Sequence, residues 1–285
     1  MFKKLLLLAG IVLGQQGAYA QVPDWSTKVA PILFNNCTSC HHTGGIAPFS
    51  LTTYASAVSY AASMKYDVQN KVMPPWPPDP NYAHLAHERI LSAADIATIA
   101  AWADGGTPQG TPSLAPPVPV YSNTGQIPGT PDLIVKIPTY TSTAATGDVY
   151  QCFTIPSGLL ADKFVTGFEA IPGNPSIVHH VLVYSDTTGK CATLDAATAG
   201  PGYPSFGNPG TDSAEMVGIW VPGSQPMTYH NGFGLRVAAN ADIVVQVHYP
   251  AGSMGQVDST EIHFFFAPTA VRRVYIQPLQ YHTVP

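Results

Sequence analysis

Cys37-Thr38-Ser39-Cys40-His41 is a C-x-x-C-H sequence. At that spacing two thiols can add to the two vinyl groups on one edge of a porphyrin, while the next imidazole turns under the iron. It predicts covalent attachment of a haem c at Cys37 and Cys40, with His41 as proximal iron ligand. A redox C-x-x-C pair and half a zinc site are the competing readings, but no second cysteine pair lies nearby and no βαβ pattern surrounds it. For the distal ligand the candidate is Met73, in Val72-Met73-Pro74-Pro75-Trp76. Its prolines would hold a thioether-bearing loop rigid, and Met/His ligation suits electron transfer. The alternative for Met73 is an ordinary gap-filling methionine. Met64 falls on an expected helix and reads as core, His84 and His87 as solvated loop residues, and His42 as facing away from the iron.

A second constellation comes from the ten histidines. His179, His180 and His248 fall inside expected strands whose apolar neighbours exclude water, and three imidazoles there suggest a metal, copper or zinc. Taken singly, each would be a satisfied structural histidine. Adjacent strand residues point to opposite faces, so His179 and His180 can share one ion only if the strand bulges or ends there. Met227 and His230 sit in a Gly/Pro-rich stretch that reads as a surface loop. His263 reads as structural, and His282 stands near the terminus.

These residues sit in a chain of 285 residues, 45% hydrophobic, with 28 Pro, 25 Gly and a net charge of −5. Such apolarity excludes disorder as the main state, and the Pro and Gly content favours short strands and turns over long helices. Lys3 and Lys4, the apolar run Leu5 to Leu13 and Ala18-Tyr19-Ala20 form a secretory signal peptide over 1–20, cleaved after Ala20. The run is too short to cross roughly 30 Å of hydrocarbon. The expectation is an exported protein, periplasmic or extracellular, with no membrane span in the mature chain and no nucleic-acid partner, since no basic patch is present.

The composition divides the mature chain in two. Residues 22–110 carry helical patterns: one from Ser26 to just before Cys37, one from Tyr54 to Val68, and one from Ser92 to Asp104. The last has Ser92 and Asp95 as a capping box and Gly105-Gly106 as its left-handed stop. A stiff Pro-rich linker spans 111–130. Residues 131–272 carry short β-branched and aromatic runs, among them Phe164-Val165, Ile177 to Tyr184, Gly218 to Val221, Ile243 to Tyr249 and Ile262 to Phe266, which predict an antiparallel β-sandwich. Once haem has taken two of the four cysteines, Cys152 and Cys191 remain, a disulfide pair in an oxidising compartment unless they are two separate thiols.

Two resemblances add to this reading. The order helix, C-x-x-C-H, Met-Pro-Pro-Trp and a capped helix ending in Trp102-Ala103-Asp104-Gly105-Gly106 resembles a small class I cytochrome c over 22–110, which implies a small all-α domain, proximal His41 and distal Met73. Gly167-Phe168-Glu169, Val178-His179-His180-Val181-Leu182-Val183-Tyr184, Ile219-Trp220-Val221-Pro222-Gly223, Gly232-Phe233-Gly234-Leu235-Arg236-Val237 and Val245-Gln246-Val247-His248-Tyr249 resemble another family. That family is the copper type II ascorbate-dependent monooxygenases (peptidylglycine α-hydroxylating and dopamine β-monooxygenases), and the likeness is to their amino-terminal domain. It implies a jelly-roll sandwich, His179, His180 and His248 as ligands of the electron-supplying copper, and Cys152 as a disulfide cysteine.

Enzymes of that family use a second sandwich domain, where oxygen is activated. It is not contained in this sequence, and 273–285 reads as a tail or the start of that domain. The expected fold class is thus a multidomain α plus β chain, an all-α cytochrome c domain followed by the sandwich. The expected function is the electron-input part of a copper-dependent monooxygenase, fed by a small reductant or another redox protein. The alternatives are a non-catalytic electron-transfer cytochrome with a copper-binding module, and a metal-free sandwich that binds a partner.

Overall fold

The structure is a computed structural model that describes residues 21–76, 78, 79, 81–85, 87–121, 125–269 and 271–276. The signal peptide expected at 1–20, residues 277–285 of the expected tail and His282 lie outside the described residues. Five α-helices occur there: α1 (Ala30–Asn36), α2 (Tyr54–Ser59), α3 (Ala61–Gln69), α4 (Ala93–Asp104) and α5 (Lys190–Ala196). The strands are β1 (Leu133–Lys136), β2 (Tyr140–Thr141), β3 (Val149–Pro156), β4 (Lys163–Ile171), β5 (His180–Asp186), β6 (Tyr203–Pro204) and β7 (Glu215–Trp220). They continue with β8 (Met227–Thr228), β9 (Phe233–Val237), β10 (Asp242–Tyr249), β11 (Val257–Asp258), β12 (Glu261–Phe266) and β13 (Arg272–Val274).

The expected fold class needs correction. The chain is mostly β with roughly 20% helix, and no small all-α cytochrome domain stands ahead of the sheets. Short helices explain this. The longest among the described residues, α4, has 12 residues, and none forms among those described between Asn70 and Ser92, where repeated prolines remove backbone donors and clash with a preceding turn. The helix expected over Tyr54 to Val68 breaks at Tyr60, which ends α2 and precedes α3 with φ −113° and ψ 11°. The expected start of α4 is present, with Ser92 Oγ accepting from Asp95 N at 3.0 Å. Its left-handed residue is Gly106 (φ +82°), whereas Gly105 is not left-handed.

These helices share a core of Trp25, Val29, Leu33, Leu51, Ile99 and Trp102. The start of the Pro/Gly stretch folds back onto it: Trp25 N and Trp102 Nε1 both donate to Pro108 O, at 2.9 and 3.1 Å.

The β region agrees with a sandwich. One sheet has the order β1-β12-β4-β9-β13, with β8 on β4; the other has the order β6-β3-β10-β5-β7. Pairing is antiparallel except for β13 on β9, which is parallel. Phe168, Val165, Ile262 and Phe264 of the first sheet share a buried core with Phe153, Val181, Val183, Val245, Val247 and Tyr249 of the second. Alternation then turns Val244, Gln246 and His248 of β10 to the opposite face. That outer face is covered at one end by a cluster of Cys152, Tyr184, Cys191, Tyr203 and Val244. At its other end stand the histidines.

Candidate metal centre and the C-x-x-C-H turn

His248 is paired with His180 on one side and with Tyr150 on the other, so one rung of the second sheet reads Tyr150, His248, His180. The geometric demand on His179 is met because β5 begins only at His180. His179 precedes the strand, and its N–H donates to His248 O at 2.9 Å. Freed from strand alternation, its ring turns to the same side as that of His180.

The three Nδ1 atoms then converge: His179 to His248 at 3.1 Å, His180 to His248 at 3.2 Å and His179 to His180 at 3.4 Å. The point equidistant from them lies about 1.9 Å from each, close to the ~2.0–2.1 Å of a zinc–imidazole bond. Three imidazole nitrogens facing one another cannot all be satisfied by mutual hydrogen bonds, whereas one cation accepts all three lone pairs. The donor set therefore fits a metal ion, and imidazole suits copper or zinc.

Electrostatics favour neutral rings at His180 and His248. Burial, then His248 and His179, depress His180 to about 4. His248 is lowered as well, first by burial, with Asp148 opposing and His179 adding to the depression. Asp148 Oδ2 lies 3.0 Å from His248 Nε2, yet His248 Nε2 is buried without an aligned hydrogen bond. The carboxylate beside it favours the proton on Nε2 and leaves Nδ1 to the cluster. Asp148 is itself anchored by Ala251 N at 2.9 Å, the main reason its carboxyl sits below the usual range. Tyr150 stacks on His248 with ring centroids 4.2 Å apart and planes 11° apart, and Phe206 packs edge-on against Tyr150. Sequence reading missed Asp148, Tyr150 and Phe206, because their role depends on strand pairing and loop position that no spacing encodes.

The C-x-x-C-H residues follow α1 directly. Cys37 is its C-cap, with N–H to Leu33 O at 2.8 Å, and burial, then Cys40, push its thiol up to about 12. Cys37 and Cys40 are both free. His41 Nδ1 lies 3.2 Å from Phe49 O. A carbonyl only accepts, so Nδ1 carries the proton and the Nε2 lone pair is free for a metal. The His41 ring packs on Phe49 at 4.6 Å, and Phe49 stacks on Tyr60 at 3.8 Å. These features leave the His41 Nε2 available as a metal ligand.

Met73 lines a cavity of about 80 Å³ with Val68, Trp76, Leu91 and Ile96, and His41 is not among the lining residues. Met73 is 39% exposed while Met64 is 7% exposed, so Met64 is the core methionine and Met73 is not. Met227 is strand-paired on β8, and Tyr229 Oη donates to its Sδ at 3.6 Å. His263 lies between Glu169 and Glu261, away from the trio.

The expected Cys152–Cys191 disulfide is not formed. Both are buried free thiols of the same cluster, each with its own partner: Gln246 Nε2 donates to Cys152 Sγ at 3.6 Å, and Cys191 Sγ donates to Pro209 O at 3.4 Å. No protein-family model matches the chain, and no curated protein matches it.

Proposed function

We propose that this chain is an exported redox protein that binds copper at His179, His180 and His248 and a covalent haem at Cys37, Cys40 and His41. We assign it as the electron-input part of a copper-dependent monooxygenase. The observation that carries the reading is the convergence of three Nδ1 atoms, at 3.1–3.4 Å, from stretches 68 and 69 residues apart. When bound, the two groups supply one-electron chemistry.

The chain's own residues prepare the sites. His180 stays neutral at neutral pH because its surroundings penalise the imidazolium. Asp148 and Tyr150 fix the proton and the plane of His248 from its far edge and its face. Phe49 O holds the proton of His41 on Nδ1. Met73, 39% exposed, is the thioether that would serve as the iron's other ligand.

The test is production with c-type haem maturation, followed by metal analysis, a haemochrome spectrum and electron paramagnetic resonance. One copper and one covalent haem per chain are expected, with copper lost in His179→Ala, His180→Ala and His248→Ala. A preparation that takes up neither group overturns the proposal. Oxygen consumption with ascorbate separates the monooxygenase reading from the alternative, an electron carrier with a copper-binding module.

A further inference from the structure

We infer that the C-x-x-C-H turn is docked onto the histidine end of the sandwich, making it the in-chain electron partner of that cluster, with Arg89 as the residue that holds the dock. This rests on the two-cofactor reading above.

Two contacts to the sandwich across long sequence separations carry the inference, and a third ties the same turn to Tyr121 of the Pro-rich linker. Both terminal nitrogens of Arg89 donate to Pro222 O, each at 3.2 Å, across 133 residues. Ser176 Oγ donates to Gly44 O at 3.3 Å, across 132 residues. Thr38 Oγ1 is hydrogen-bonded to Tyr121 Oη, and His42 stacks on the same tyrosine with centroids 4.2 Å apart. Gly223 completes the fit: a Cβ there would lie 3.1 Å from Ser39 Oγ and from Arg89 Nη2.

The sandwich partners in these contacts are not arbitrary. Ser176 is three residues before His179. Pro222 follows Trp220 by two, and Trp220 is paired with Val181, the neighbour of His180. On the other side, Thr38 and Ser39 are the two residues between the cysteines, His42 follows His41 directly and Gly44 comes three residues after it. The segment that leads into His179 therefore touches Gly44 just beyond the haem-attachment residues, and the turn after β7 lies against Ser39 between the two cysteines. Electron exchange weakens steeply with separation, and a docked donor acts at a fixed, high effective concentration. With both groups bound, the exchange would be of one electron, ferrous haem giving it and Cu(II) taking it, with no proton or bond exchanged.

The experiment uses the full chain loaded with haem and copper. The haem is reduced by a short radiolytic pulse, and haem reoxidation is followed together with loss of the Cu(II) signal. The expected result is a rate independent of protein concentration, at least tenfold slower in Arg89→Ala and in Ser176→Ala, which removes the hydroxyl that donates to Gly44 O. Haem and Cu(II) spectra should be unchanged in both variants. A wild-type rate proportional to concentration overturns the docked exchange without any variant, as does a rate that neither variant slows. Failure to load haem or copper overturns the function proposed above instead, so the two failures are distinguishable.

Discussion

Asp148 Oδ2 lies 3.0 Å from His248 Nε2, on the edge of the imidazole opposite the nitrogen that faces His179 and His180. A carboxylate there orients the ring and strengthens its other nitrogen as a donor. Asp148→Asn is expected to weaken copper binding about 10- to 100-fold, with a changed Cu(II) resonance spectrum and an unaltered thermal midpoint of the metal-free chain. Competition titration against a chelator measures it, and an unchanged affinity refutes the role.

Tyr150 acts on the same ring through its face. The stack needs the aromatic plane and not the hydroxyl, so Tyr150→Phe should leave the Cu(II) spectrum intact while Tyr150→Ala broadens it. If both variants change the spectrum equally, the hydroxyl and not the stack matters.

The pH dependence of the metal-free chain follows from His180. Its folded value is about 4 against an ordinary 6.5, so between these values the unfolded chain binds more protons. Stability is therefore full above about pH 6.5 and falls as the pH drops toward 4. Denaturant midpoints measured in chelator across that window should decline, less steeply in His180→Gln. An equal slope in both proteins refutes the assignment.

Gly218 faces the Phe168 ring so closely that an added Cβ would lie 2.5–2.8 Å from three ring atoms. Gly218→Ala should cost about 1–3 kcal/mol by overpacking the shared core. Combining it with Phe168→Leu, which makes room, should cost less than the sum of the two single changes. Additive losses in urea unfolding would show that the contact is relaxed elsewhere.

Cys37 and Cys40 are free and follow α1 within one turn. Cys37→Ala with Cys40→Ala should abolish covalent haem, read by haem staining after denaturing electrophoresis, while leaving copper binding at the histidines unaltered.

Much of this molecule was legible locally. Short β-branched and aromatic runs bounded by turn residues located β4, β5, β7, β10 and β12, because such side chains pack well on a pleated, buried surface. Ser92 and Asp95 announced the start of α4, since a capping hydroxyl answers an orphan donor wherever the helix packs. The Cys37 to His41 spacing is chemistry carried by neighbours in sequence. Expectation failed where context decided. Helical patterns over 22–110 suggested an all-α cytochrome domain, but prolines and the break at Tyr60 leave only short helices in a mostly β chain. Cys152 and Cys191 share a buried cluster but stand as free thiols, each hydrogen-bonded to its own neighbour, Gln246 and Pro209.

The sequence by itself determined which residue types were present to do chemistry and which runs would be strands, because both depend on covalent neighbours and burial periodicity. Only tertiary structure decided that β5 starts one residue after His179, that Tyr150 and His180 flank His248 on one rung, and that Arg89 reaches Pro222. Strand ends, register and long-range contacts are set by the global balance of packing and hydrogen bonding, in which residues more than a hundred positions apart enter together.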